Sequence, residues 1–164
     1  MADPLSIAAS ALAVAGAGGK LAQTLYTFIE SFRKGERELR PVADHIRLTS
    51  AVLDSIGSLL SEQDVRDLCK DQLLGTLNNA SNGCKQAFDD LQKFVDGLLK
   101  PDANGKPKLG ALDKLTFIPF RQRELDVLQA NLERFKSALD LILSVLHLSI
   151  SIKYDFAREL TSFN

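Results

Sequence analysis

The N-terminal segment constrains the fold most, because the 25 residues from Leu5 to Ile29 carry one charge, that of Lys20. A helix exposed on all sides to water needs a polar face, and this segment barely has one. Its first half is also poor in large side chains, since alanine and glycine fill most positions. The bulky residues there are Leu5, Ile7, Leu12 and Val14. The segment is therefore predicted to be a helix that makes close backbone contacts.

The start of this helix and the spacing of its small residues can be read from the sequence. Asp3 is a favourable N-cap residue, and Pro4 is favoured at the first helical position. Small residues then recur at every fourth position, in the series Ala9, Ala13, Ala17 and the series Ala11, Ala15, Gly19. This spacing lets two helices approach closely in lipid, and in water it lets the helix pack beneath a neighbour.

Transfer free energies argue against permanent membrane insertion of a single copy. The four bulky residues contribute roughly −2 kcal/mol together, whereas Lys20 near the bilayer centre costs about 2.5 to 3.5 kcal/mol. The uncharged stretch from Pro4 to Gly19 is about 24 Å long as a helix, which is shorter than the roughly 30 Å hydrocarbon core. Several copies could insert together with their lysines in a wet interior. The predicted residues of this conditional membrane element are Leu5, Ile7, Leu12, Val14, Gly16, Gly18, Gly19 and Lys20.

Two other interpretations of the segment stay open. A cleaved signal peptide would have an apolar region like Leu5 to Val14, but its start should be basic, and Asp3 stands there instead. A permanently buried, alanine-rich core helix explains the composition well. That interpretation is also compatible with a membrane switch, because a resting state has to bury the helix somewhere.

The bulk composition predicts one domain over residues 1–164. A chain of 164 residues with 45% apolar and 25% charged residues can build one sizeable hydrophobic core, and it is too short to build two of that size. The net charge is −1, but the region from residue 100 to residue 123 has six basic and two acidic residues. Its local charge of +4 leaves −5 for the remainder.

This basic region is either a solvated loop or a surface for anionic lipid. The candidate lipid-headgroup contacts are Lys100, Lys106, Lys108, Lys114, Arg121 and Arg123. Nucleic acid is not expected as a partner, because no aromatic residues alternate with these basic residues at stacking spacing.

The spacing of apolar residues predicts an all-α fold, a single helical bundle of four to five helices with long third and last helices. The N-terminal helix covers residues 1–32 and closes at Arg33-Lys34-Gly35, because basic residues followed by glycine are typical of a helix C-terminus. A second helix begins between Glu36 and Pro41. Its core stripe is Val42, Ile46, Thr49, Leu53, Ile56 and Leu60.

The third helix is predicted to begin at Ser61, where the sequence SEQD resembles a capping box. It extends about 50 Å to Leu98, with a kink or local break between residues 75 and 83, where glycines and asparagines cluster. Prolines and glycines predict a loop over residues 100–115. The last helix follows Pro119, and its apolar residues on every side from Ala138 to Ile152 indicate that helices surround it or that its end meets a partner.

The chain lacks the residue patterns of catalytic and metal sites, so neither enzymatic activity nor a cofactor is predicted. No cysteine–histidine pair has metal-ligand spacing, and no serine stands in a nucleophile elbow. His147 is expected in the core and His45 in solvent. Cys69 and Cys84 would be about 22 Å apart if they shared one helix, which is too far for a disulfide and favours a reducing, intracellular compartment.

Two blocks of the sequence resemble one protein family. The opening MADPLSIAAS, Met1 to Ser10, closely resembles the start of the N-terminal domain of fungal STAND proteins, the HeLo-like group. The block LTFIPFRQREL, Leu115 to Leu125, is similar to a second block of that family, with Phe117 where a tryptophan is expected. The similarity continues through Leu128, Leu132, Glu133, Arg134, Lys136 and Leu139.

The resemblance implies an effector domain of fungal innate immunity or heterokaryon incompatibility, which are forms of programmed cell death. In such relatives an upstream STAND sensor or an amyloid seed clusters the domains and frees the N-terminal helix to permeabilise the membrane. The implied partners are further copies, in a dimer or higher oligomer, anionic membrane lipids, and the upstream STAND or amyloid-signalling protein. The implied location is the cytoplasm, with movement to the plasma membrane on activation.

The alternative function is a soluble self-association module whose N-terminal helix never leaves the core. The nucleotide-binding module or amyloid motif that would follow a HeLo-like domain is not part of this sequence, so an excised domain is expected, with a stand-alone protein as the alternative.

Overall fold

A computed structural model describes residues 3–31, 36–99 and 119–163 of the chain. All regular structure in these ranges is helical, which confirms the all-α prediction. The five helices are α1 (Pro4–Ser31), α2 (Glu36–Leu60), α3 (Gln63–Arg66), α4 (Asp71–Leu99) and α5 (Pro119–Ser162). The predicted closing signal at Arg33-Lys34-Gly35 and the predicted loop over residues 100–115 lie outside the described ranges.

The start of α1 follows the local sequence. The backbone N–H of Ser6 donates to Asp3 Oδ2 at 3.1 Å, and the N–H of Ile7 donates to the Asp3 carbonyl at 3.0 Å. Asp3 thus satisfies amide groups that the first turn of a helix leaves without partners. The predicted start at Asp3-Pro4 is confirmed.

The helices form a bundle in which α2 and α4 lie between α1 and α5. Helix α1 packs along α2 and contacts α4, and α5 packs against the same two helices. Apolar side chains from all of these helices fill the space between them. The predicted stripe of α2 lies wholly inside, since each of its residues from Val42 to Leu60 is at most 1% exposed. Burial of such stripes is the main force that holds helices together in water.

The third helix is interrupted at a different place from the one predicted. Helix α3 ends at Arg66, the chain turns through residues 67–70, and α4 then continues unbroken through residues 75–83 to Leu99. Of the glycines expected to break the helix, Gly75 has open space where a Cβ atom would stand, and Gly83 is where Phe135 of α5 approaches α4. A Cβ atom at Gly83 would lie 2.9 Å from Phe135 Cδ1.

The turn between α2 and α4 is organised by Arg66. Its Nη1 donates to the carbonyls of Leu60 at 3.0 Å and Ser61 at 2.6 Å, which are acceptors left free at the end of α2. The predicted capping box is wrong by one residue, since the N-cap of α3 is Glu62, whose side chain makes no capping bond. Ser61 Oγ instead donates to the Gly57 carbonyl at 2.8 Å.

Helix α5 begins at Pro119, as predicted, and is 44 residues long, against 25 for α2 and 29 for α4. Its length is about 66 Å at 1.5 Å per residue. Lys153 Nζ lies 3.9 Å from Asp64 Oδ1 near α3, and every described residue from Ser151 onward is exposed. For residues 138–152, the alternative that other helices surround α5 is wrong, since Leu141, Leu148 and Ile152 are exposed. The alternative that this end meets a partner stays a prediction.

Candidate functional site

The inner face of α1 changes character along the helix. It is built mainly from small residues up to Gly18 and from large ones after it. The buried residues are Ile7, Ala8, Ala11, Val14, Ala15, Gly18, Leu21, Ala22, Leu25, Phe28 and Ile29. The first half of α1 thus contacts the bundle closely while burying few large side chains, and the second half is an ordinary core helix.

Two glycines set the closest approach of α1 to its neighbours. A Cβ atom at Gly18 would lie 2.5 Å from Phe88 Cε2 on α4 and would also overlap Ser50 Oγ on α2. A Cβ atom at Gly57 of α2 would lie 2.6 Å from Cγ of Leu12. Only a hydrogen fits at either point, so larger residues there would push α1 outward.

The outer face of the first half of α1 is small and almost uncharged. Leu5 is 52% exposed, and Gly16 and Gly19 have open space where a Cβ atom would stand. The other exposed residues of this face are Ser6, Ala9, Ala13, Ala17 and Lys20. No charge follows Asp3 on this face until Lys20.

The structure divides the predicted membrane-active residues into two groups. Ile7, Val14 and Gly18 lie in the core, and Leu12 is half-buried. The residues on the solvent side are Leu5, Gly16, Gly19 and Lys20. The series Ala9, Ala13, Ala17 faces outward, and Ala11 and Ala15 face inward. Their series continues inside at Gly18, not at Gly19, because the helix repeats every 3.6 residues and not every four.

A polar contact holds the second half of α1 to α2. The hydroxyl of Tyr26 donates a hydrogen bond to Asp44 Oδ1. Burial raises the pKa of Tyr26, and the hydrogen bond to Asp44 raises it further. This bond adds to the burial of Phe28 and Ile29, so the second half is held more firmly than the first.

The predicted headgroup contacts fall mostly outside the described ranges. Lys100, Lys106, Lys108 and Lys114 lie there, as does the side chain of Arg121. Arg123 is described, and it is exposed on the first turns of α5.

The described residues do not assemble a metal site, since no group of three histidine, cysteine or acidic side chains converges among them. A cleft of about 210 Å³ between α4 and α5 is smaller than the roughly 300 Å³ at which ligand pockets begin. It is lined by Gly83, Gln86, Ala87, Asp90, Leu128, Asn131 and Phe135.

Both histidine predictions are wrong. His147 is exposed, because it points away from the covered side of α5. His45 is half-buried, and its Nδ1 is enclosed without a hydrogen-bond partner.

The two cysteines are free thiols in different surroundings. Cys84 is completely buried, and burial raises its pKa to about 12. Cys69 is half-buried, and burial raises its pKa as well. Cys69 lies in the turn before α4, so the premise that both cysteines share one helix is wrong.

The apolar residues predicted on every side of the last helix from Ala138 to Ile152 include a second apolar surface, on the outer side of α5. Leu141, Leu148 and Ile152 are 67%, 62% and 60% exposed. Their spacing of seven and four residues was a usable signal, but this surface overlaps in sequence with the core stripe of the same helix. By length and composition, Pro4–Ser31 and Gln122–Ser162 could each cross a membrane, with 44% and 17% of their apolar windows buried. A core helix of a soluble protein passes the same test.

A comparison with protein families finds a match over almost the whole chain. The model of a family described as pigment biosynthesis cluster protein PigL N-terminal matches residues 2–160, which include nearly all of the described helices. This family is fungal-associated. No curated protein and no solved structure shows significant similarity to the chain.

Proposed function

The chain belongs to the family described as pigment biosynthesis cluster protein PigL N-terminal, and we propose that it is a membrane-targeting cell-death effector domain of a fungal immunity or incompatibility protein. In this proposal the domain is of the HeLo-like kind. Clustering of several copies releases the first half of α1, which then associates with its counterparts and permeabilises the membrane. The family description supplies a setting, a pigment biosynthesis cluster, and no activity.

The observation that carries the proposal is that the first half of α1 buries few large side chains. The large buried ones are those of Ile7 and Val14. Exposing such a side chain costs about 1.5 to 3 kcal/mol. With Ala8, Ala11 and Ala15 added, lifting this half from the bundle costs on the order of 5 to 8 kcal/mol, which association and membrane contact can offset.

The second half of α1 stays in place in this proposal. Exposing Leu21, Leu25, Phe28 and Ile29 would cost about 6 to 12 kcal/mol more. Release of all of α1 would therefore use the whole stability of a typical domain, about 5 to 15 kcal/mol. Opening is placed between the halves, at Gly16, Gly18 and Gly19, because each glycine lowers helix stability by about 1 kcal/mol relative to alanine.

The test is leakage of a dye from vesicles of anionic lipid, measured with the protein clustered through a fused, inducible oligomerisation domain. A glutamate at Ala13 or Ala17 lies on the exposed side and leaves the bundle folded, but it adds a charge to the segment that enters the bilayer. The expected result is loss of leakage with an unchanged circular dichroism spectrum. Ala51→Glu, at an exposed position of α2, is the matched control and keeps leakage.

Val14 is unsuitable for such a test, because it is 5% exposed and a charge there would unfold the bundle. The proposal fails if the clustered wild-type protein leaves the vesicles intact. It also fails if the Ala13→Glu and Ala17→Glu variants cause dye leakage as fast as the Ala51→Glu variant does.

The second candidate function is a soluble self-association module in which α1 is a permanent core helix. It is favoured by the burial of 44% of the apolar window of α1.

A reversible disulfide between α1 and α2 separates the two candidates. Leu12→Cys with Gly57→Cys, in a Cys69→Ser background, places two thiols between α1 and α2, and Leu12→Cys removes the branched side chain that a Cβ atom at position 57 would overlap. Under the effector proposal, the oxidised protein causes no dye leakage from the vesicles and the reduced protein does. Under the module candidate, reduction does not change the leakage.

A further inference from the structure

Helix α5 has a second apolar face that no described helix covers. Leu141, Val145, Leu148 and Ile152 are 67%, 39%, 62% and 60% exposed. They follow one another at intervals of four, three and four residues, so they lie along one side of the helix. The buried residues Leu139, Ile142 and Leu146 lie on the opposite side, toward the core. We call the four exposed residues the outer stripe.

The charges at the two ends of the outer stripe are opposite in sign and equally spaced. Arg134 stands seven residues before Leu141, and Glu159 stands seven residues after Ile152. Seven residues are almost two helical turns, so both charges lie on the same side as the stripe. Both side chains are exposed. The intervals between the charged residues and the outer stripe are therefore the same when counted from either end of the helix. One end carries a positive charge and the other a negative charge.

A row of this kind is complementary to itself when two copies of the helix lie antiparallel. A twofold axis midway between Val145 and Leu148 places Val145 of one copy against Leu148 of the other, and Leu141 against Ile152. The same axis places Arg134 of each copy opposite Glu159 of the other. We infer that the outer stripe is a dimer interface, and that its occupant is a second copy of this chain in an antiparallel, twofold arrangement.

The exposed end of α5 finds a matching surface in the same arrangement. Phe156 and Phe163, 64% and 87% exposed, come opposite Ser137 and Ala130 of the second copy. Ser137 and Ala130 are exposed and small, so they leave room for the aromatic rings. The bulky end of each helix therefore lies against the small-residue part of the other.

The apolar area is sufficient for a stable dimer. Besides the outer stripe, Phe156 and Phe163 are exposed and placed against the second copy. At about 180 Å² for a fully exposed side chain of this size, the six residues offer about 680 Å² per copy, within the roughly 600 to 1,000 Å² that one partner contributes to a standard interface.

Anionic lipid fits this surface less well. From Asp140 to the end of α5 there are three acidic and two basic residues, so the surface does not attract anionic lipid.

The test is the oligomeric state of the full chain without vesicles, measured by sedimentation and light scattering. The pairing is independent of the release of α1, so its failure is distinct from failure of the proposed membrane activity. The expected state is a dimer at micromolar concentration. Leu148→Glu weakens it at least a hundredfold, because the twofold axis puts two charges into the apolar centre. Tyr154→Glu is the control: Tyr154 is 67% exposed on the other side of the same helix, and this variant dimerises normally.

A charge exchange tests the antiparallel register. Arg134→Glu alone and Glu159→Arg alone each weaken the dimer about tenfold, because two ion pairs become two like-charge pairs. The double variant Arg134→Glu/Glu159→Arg restores both pairs and the original affinity. The inference is overturned if the wild-type chain is a monomer, if Leu148→Glu and Tyr154→Glu act alike, or if the double variant is no stronger than the single ones. A monomer that binds vesicles through Leu148 would make the outer stripe a membrane surface instead.

Discussion

Substituting the three glycines of α1 one at a time by alanine tests how this helix is seated. Alanine is favoured over glycine inside a helix by about 0.8 to 1.0 kcal/mol. Gly16 and Gly19 have open space for a methyl group, so Gly16→Ala and Gly19→Ala should each stabilise the domain by nearly this amount. At Gly18 the methyl carbon would lie 2.5 Å from Phe88 Cε2. Overpacking of this kind costs about 1 to 3 kcal/mol, so Gly18→Ala should be destabilising by up to about 2 kcal/mol overall.

The assay is urea denaturation followed by circular dichroism, with the midpoints compared at equal slope. In thermal melts, 1 kcal/mol corresponds to a shift of about 2 to 4 °C for a domain of this size. The same variants test the proposed release of the first half of α1. Gly16→Ala and Gly19→Ala stiffen the helix where it is proposed to open, so they should slow dye leakage. Gly18→Ala weakens the packing of α1 against Phe88, so it should speed dye leakage. If Gly18→Ala stabilises the domain as much as Gly16→Ala does, the close approach of α1 to Phe88 is wrong.

Three further outcomes are expected. Tyr26→Phe removes the hydrogen bond to Asp44 and should lower stability by about 0.5 to 1.5 kcal/mol in urea titrations, and an unchanged midpoint would count against that bond. Burial raises the pKa of Cys84 from 9.0 in the unfolded chain to about 12 in the folded one. The neutral thiol therefore adds its full contribution to folding stability below pH 9, and this contribution is lost as the pH rises from 9 toward 12. Between pH 9 and pH 11 that loss is about 2 to 3 kcal/mol, and Cys84→Ala should show a correspondingly flatter stability profile. Arg66→Ala frees the carbonyls of Leu60 and Ser61 and should cost about 1 to 3 kcal/mol, measured by thermal melting against Arg123→Ala as an exposed control.

Local signals in the sequence predicted much of the fold. The start at Asp3-Pro4, the stripe from Val42 to Leu60 and the start at Pro119 depend on residues that are neighbours in the chain or lie one helical turn apart. The alternation of serine with Leu148, Ile150 and Ile152 is typical of a strand, but these residues lie in α5, since a single strand would have nothing to pair with.

The wrong predictions depend on contacts between distant segments. Gly83 was taken as a weak point of a helix, but its role is set by Phe135, 52 residues further along the chain. His147 was placed in the core because its neighbours are apolar. Helix α5, however, has apolar residues on two sides, and the sequence does not say which side the shorter helices cover.

The candidate site was predictable in outline only. The unusual composition of α1 is visible in the sequence, but the division of its residues between core and solvent depends on the packing against α2 and α4. Gly18, not Gly19, meets Phe88 and Ser50, and that difference of one residue turns the helix by about 100°.

The placement of α2 and α4 between α1 and α5 separates two kinds of change in this molecule. A substitution on the outer stripe and a substitution on the first half of α1 share no neighbour, so their free energies should add, as they do for distant sites. Substitutions can therefore change the proposed pairing at one flank of the domain without changing the packing of α1 at the other.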